Sequence, residues 1–135
     1  MDKDRLNHSL AVANKMIEIG KELKVKENEL QDLFILGYNH DIGYDFCFDK
    51  KEHNIVGGEM LKNNGYKYWK EVYYHGNPNC EYQSQFLKIL NMADMQINKY
   101  GKDVGYKKRL EDIKNRYGED SIQFINAKSV IASLK

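Results

Sequence analysis

Proline is almost missing from this sequence: Pro78 is the only one, and threonine is absent altogether. Both shortages weigh against a strand-rich protein. Cysteine is nearly as rare. Cys47 and Cys80 stand far apart, with no CxxC or other clustered spacing that would suggest a thiolate metal site. Two reduced cysteines, behind a charged Met-Asp-Lys-Asp-Arg start that does not resemble a secretory leader, lead us to expect a cytoplasmic protein. No apolar run approaches the roughly 18 residues that span a bilayer. Neither sign of charge prevails (21 basic against 20 acidic residues), so there is no electrostatic footprint for a nucleic-acid polymer or a membrane surface. What remains is a chain of 135 residues, 41% hydrophobic and 30% charged, suited to one domain over 1–135 with a real core.

Helical periodicity fills that space. Apolar residues at 6, 10, 13 and 17 form one stripe, with Val12, Met16 and Ile19 beside it, and Gly20 reads as the stop. A second helix is expected over 27–39, where Leu30, Leu33, Phe34 and Gly37 share a face and Gly43 helps break it. Residues 44–51 read as a loop. Further helices are expected over 52–63, ending at Asn64-Gly65, over an aromatic 66–75, and over 83–100. Two amphipathic segments, 105–117 and 119–134, complete the pattern. The expectation is an all-α bundle of about six to seven helices.

His40-Asp41 ends an otherwise apolar segment, Phe34 to Tyr44. A buried carboxylate there needs a compensating charge, and a divalent metal supplies one. Asp94 poses the same problem in Leu90-Asn-Met-Ala-Asp-Met-Gln-Ile97, which reads as the middle of an apolar helix. His8 borders the stripe of the first helix. His53 and His75 fall at the start and end of their own helices. Singly, each of these is as well explained by core or surface packing.

Taken together, His8, His40, Asp41 and Asp94 resemble the H…HD…D metal-binding pattern of the HD superfamily, over roughly residues 5–115. Arg5-Leu-Asn-His8 is similar to the family's first helix, and Leu90-Asn-Met-Ala-Asp94 to its last ligand helix. His53 and His75 resemble the extra pair that binds a second metal in HD-GYP phosphodiesterases, symmetrical diadenosine tetraphosphatases and the inositol oxygenase group. The resemblance implies one ion on His8, His40, Asp41 and Asp94, and a second on His53 and His75 with Asp41 as the bridge. His40 and Asp41 would then be central to catalysis. Such nitrogen–oxygen sites accept Fe, Mn, Zn, Co or Ni, with Mg also allowed. Two cations about 3.5–4 Å apart can activate a water and clamp a phosphoryl oxygen. The implied activity is hydrolysis of a small phosphorylated molecule such as a nucleotide, and a homodimer is compatible with it.

The match departs at Tyr44, where many HD phosphohydrolases carry a lysine for the substrate phosphate. Tyrosine donates a hydrogen bond but brings no charge. Lys50 and Lys51 on the following loop, the Lys107-Lys108-Arg109 cluster and Arg116 are the candidates to replace it. Rings between Tyr66 and Tyr74 are candidates either for core packing or for a base-stacking wall. Gly57-Gly58 lacks a phosphate-loop context and fits close helix packing better. Two alternatives stay open: a mixed-valence di-iron oxygenase of the inositol oxygenase kind, and a non-catalytic metal-stabilised sensing or interaction module.

Overall fold

The computed structural model describes residues 2–46 and 52–134. Seven α-helices follow one another: α1 Lys3–Glu22, α2 Glu27–Asn39, α3 His53–Asn63, α4 Trp69–Tyr74, α5 Gln85–Asp94, α6 Gly105–Tyr117 and α7 Ile122–Ser133. A 3-10 turn, Ile42–Asp45, follows α2 and runs into the segment expected to be loop from residue 44. The described residues contain no strand, only one isolated antiparallel bridge between Ile97 and Asp103. The all-α expectation is met. No described helix is long and apolar enough to cross a membrane.

Local sequence explains where several helices begin. Asp2 accepts from Arg5 N (2.8 Å), Ser84 from Leu87 N (3.0 Å) and Ser121 from Phe124 N (3.1 Å). Each cap satisfies an otherwise orphaned amide and is worth about 1 kcal/mol. Gly20 does not stop α1. The helix continues to Glu22 and the chain turns at Lys24, with φ +60°. Gly20 instead makes room for α2: a Cβ there would lie 2.6 Å from Leu33 Cδ1.

Buried residues of α1, α2, α4 and α5 make one core, centred on Met16, Leu33, Leu36, Ile89 and Leu90. A second cluster joins Met95 to Ile113 of α6 and to Ala127, Val130 and Ile131 of α7. Two contacts set the register that matters for the site. At Gly37 the backbones of α1 and α2 nearly touch, a Cβ there being only 2.7 Å from Ala13 Cα. At Gly58 a Cβ would come 2.5 Å from Tyr73 Cβ, so α3 and α4 pack backbone to side-chain root. Gly57-Gly58 thus serves close helix packing, as expected from its sequence context.

The fourth helix is shorter than expected, beginning only at Trp69, and Tyr66 and Tyr68 before it pack against the core. Tyr68 stacks on Phe86 at 4.7 Å between ring centroids. Buried Glu71 accepts hydrogen bonds from Tyr82 Oη and Ser84 Oγ, both at 2.6 Å, and so pins α4 to the start of α5. The fifth helix stops at Asp94, well before Tyr100. Beyond it, Asn98 N donates to Lys102 O, while Asn98 Oδ1 accepts from the amides of Tyr100 and Lys102. These bonds close a tight loop in place of another helical turn. Asp94 is therefore the last residue of its helix and not a mid-helix residue.

Candidate metal centre

All four histidines and both singled-out aspartates meet at one point. His8 arrives on α1, His40 and Asp41 on the exit from α2, His53 as the first residue of α3, His75 just past α4, and Asp94 at the end of α5. His8, His40, Asp41, His75 and Asp94 are buried. Three of the rings are oriented by the main chain. His8 Nδ1 lies 2.9 Å from Asn98 O, His40 Nδ1 2.6 Å from Gly37 O, and His75 Nδ1 2.5 Å from Val72 O. A carbonyl oxygen only accepts, so each Nδ1 carries the hydrogen and Nε2 faces the cluster.

The closest contacts among the inward-facing atoms fall into two groups, which His40, His75 and Asp94 link by lying within reach of one another. In the first, His8 Nε2 lies 2.9 Å from Asp94 Oδ1 and 3.5 Å from Asp41 Oδ2. His40 Nε2 lies 3.1 Å from Asp41 Oδ2 and 3.4 Å from Asp94 Oδ1. In the second, Asp41 Oδ1 is 3.2 Å from His53 Nε2 and 3.4 Å from His75 Nε2, and the two nitrogens are 3.3 Å apart. Donors each about 2.1 Å from a common ion stand roughly 3.0–3.5 Å from one another. His40 Nε2 is fully buried, near two carboxylate oxygens, and hydrogen-bonded to neither. Donor atoms aimed at a shared point between them have this geometry. The residues present fit a divalent cation, and such groups of histidine and aspartate could hold one.

A model of the HD domain matches residues 5–95, about two thirds of the chain. This chain belongs to the HD domain family. No curated protein and no solved structure matches it. HD domains form a superfamily of metal-dependent phosphohydrolases, all helical.

Electrostatics explain how the HD cluster tolerates two buried carboxylates. Burial pushes the Asp41 carboxyl up, but neighbouring His40 overrides it and holds Asp41 well below the ordinary carboxylate range. Asp94 is held down in the same way, by His40 and His8. Burial alone would lower His40, yet Asp41 and Asp94 raise it well above an ordinary histidine. Protons and metal ions therefore compete for one site, because Nε2 must be bare to bind a metal. We expect metal affinity to rise with pH across about pH 6 to 8, by up to tenfold per unit for each proton displaced. The rise should persist past the usual histidine midpoint, since His40 gives up its proton late. Metal titration in buffers of different ionisation enthalpy measures the proton release, and pH-independent affinity would refute it.

Around the HD cluster the structure sorts the other expected residues. Tyr44 stacks on His53, with centroids 4.0 Å apart and an interplanar angle of 11°. Burial raises its phenol pKa, with Asp41 adding to the shift, so it stays neutral. Lys50 and Lys51 lie outside the described residues. Lys107 and Lys108 are exposed and line neither cavity beside the cluster. Arg109 is buried and committed to the protein: its Nε donates to Asp94 O (3.2 Å) and its Nη1 to Asp112 Oδ2 (3.3 Å). A guanidinium at the C-terminal end of α5 also suits the helix dipole. Arg109 thus positions Asp94, although it also borders both cavities. No ring of the Tyr66–Tyr74 segment lines either cavity; the aromatic walls are Tyr44 and Tyr117.

Sequence reasoning missed Asn91, whose Oδ1 accepts from Gly76 N (2.9 Å) and fixes the chain beside His75. Its place one turn before Asp94, on the same side of α5, was the available signal. It also missed Asn98 and Tyr117, for which no local pattern exists.

Proposed function

We propose that this chain is a metal-dependent phosphohydrolase that cleaves a phosphate ester of a small molecule. One observation carries the reading: six donor side chains converge in two groups that share the two oxygens of Asp41. In this reading His8, His40, Asp41 and Asp94 hold one divalent cation, and His53, His75 and Asp41 hold a second. Bound there, such cations would supply Lewis acidity, drawing charge from phosphoryl oxygens and lowering the pKa of a water so that it loses its proton and becomes a nucleophile. The chain's own residues do the positioning. Main-chain carbonyls of Asn98, Gly37 and Val72 fix three imidazoles, and Arg109 fixes the end of α5 at Asp94.

Two cavities open beside the cluster, of about 410 and 350 Å³, on the scale of a small-molecule site. Next to the cluster the second is bordered by the charged Arg109 and Arg116, and away from it by Asn54, Asn77, Gln123, Asn126, Ile113 and Ala127. Neutral donors and acceptors beside apolar carbons suit an uncharged hydrogen-bonding leaving group, such as a nucleoside. The test is turnover of generic phosphomonoesters and nucleotides after reconstitution with Mn, Fe, Co, Ni or Zn. Phosphate release with at least one metal is expected. Inactivity with every metal, at full metal occupancy, would overturn the reading. A mixed-valence iron EPR signal coupled to oxygen consumption would replace it with an oxygenase.

A further inference from the structure

Tyr44 is stacked on both faces. Its inner face lies against His53, and the Arg5 guanidinium carbon sits 3.7 Å from the centre of its ring. Guanidinium, phenol and imidazole thus form one continuous stack that starts at a candidate ligand ring and ends in the 410 Å³ cavity. Arg5 also lies one helical turn before His8 on α1, so both side chains project from one face toward that cavity.

Lys15 is neutralised by Asp103 (2.9 Å) and Arg109 by Asp112 (3.3 Å). Arg5 makes no ion pair among the described residues, although Asp2 and Asp4 flank it in sequence. Stacking engages only the face of a guanidinium. Its N–H donors radiate in the plane and stay available for an anion, in the fork that matches phosphate oxygens. Lys99 and Arg116 border the same cavity. Arg116 is 3.8 Å from Asp112, a carboxylate already shared with Arg109.

We propose that Arg5, seated on Tyr44, is a phosphate-binding residue of this site, with Arg116 as its partner along the cavity. The inference rests on the phosphohydrolase reading and names the residues that recognise the substrate's charge. Tyr44 brings no charge of its own. It serves as the platform that fixes the arginine relative to the metal cluster. The bound oxygen belongs either to the reacting phosphoryl or to a phosphate next to it, and the chemistry of recognition is the same.

Binding to manganese-loaded protein decides it, with metal content measured for each variant and orthophosphate and pyrophosphate as the probes. Arg5→Ala should bind anion about 10- to 100-fold more weakly than wild type, the range for losing a charge-assisted hydrogen bond. Metal content should not change, and Arg5→Lys should recover part of the loss. Arg116→Ala should show a smaller loss of the same kind. A loss confined to pyrophosphate places Arg5 on a neighbouring phosphate. A loss for both anions places it on the reacting one. Wild-type affinity for both anions in Arg5→Ala would overturn the inference, and so would a wild-type protein that binds neither at millimolar concentration. Failure of the hydrolase reading would look different: no turnover of any ester, with anion binding still dependent on Arg5.

Discussion

Asp41→Asn is expected to empty both halves of the metal centre and to cut phosphate release by about a thousandfold or more. No other substitution here reaches as far. One oxygen of Asp41 faces His8 and His40 and the other faces His53 and His75. An amide keeps the shape but removes the charge and replaces one donor oxygen with a nitrogen that cannot ligate. His53→Ala should be milder, removing the ion of its own group and leaving the donors from α1, α2 and α5 in place. Elemental analysis of the two variants beside wild type tests the contrast. Full metal content in Asp41→Asn would remove Asp41 as the shared ligand.

Gly43→Ala should be nearly as damaging, although glycine 43 carries no donor atom. A methyl group at this buried position would overlap the carbonyl oxygen of His53 and come within 2.8 Å of Gly57 N. Both obstacles are backbone, and neither can swing aside as a flexible side chain would. The first turn of α3 must shift, and His53 must shift with it. Overpacking of this kind costs about 1–3 kcal/mol. We therefore expect a lower denaturation midpoint together with loss of the ion nearest His53 and His75, while the ion nearest His8 stays. A variant with wild-type stability and wild-type metal content would show that this junction yields more easily than its backbone contacts imply.

Much of the site was legible in the sequence because its parts are chemically expensive. Asp41 and Asp94 stand in apolar surroundings, and a carboxylate is not kept there without a partner. All four histidines then had a place in one pattern, and the structure brings those six residues together. The fold class was legible for a simpler reason: the apolar spacing along α1, α2 and α5 suits only helices.

What escaped depended on contacts distant in sequence. Gly20 looks like a helix stop, but its bare Cα answers to Leu33, thirteen positions on. The apolar pattern from Phe86 to Ile97 promises a longer helix than α5. Asn98 ends it, because its side chain and main chain both find partners within the next four residues. That early ending also frees the Asn98 carbonyl to meet His8. Arg109 reads in the sequence as one of a basic cluster available to a substrate phosphate. Only the placing of α6 against the end of α5 shows it to be buried and tied to Asp94. The role of Tyr44 was half legible: the missing charge could be read, and the arginine lying on its ring could not.

The family match ends at residue 95, one residue past Asp94, whereas Arg116, Tyr117, Gln123 and Asn126 all come from α6 and the start of α7. Part of the wall of the second cavity thus comes from beyond the stretch that carries the candidate metal donors. The two stretches stay coupled through Arg109, which reaches from α6 to Asp94 O.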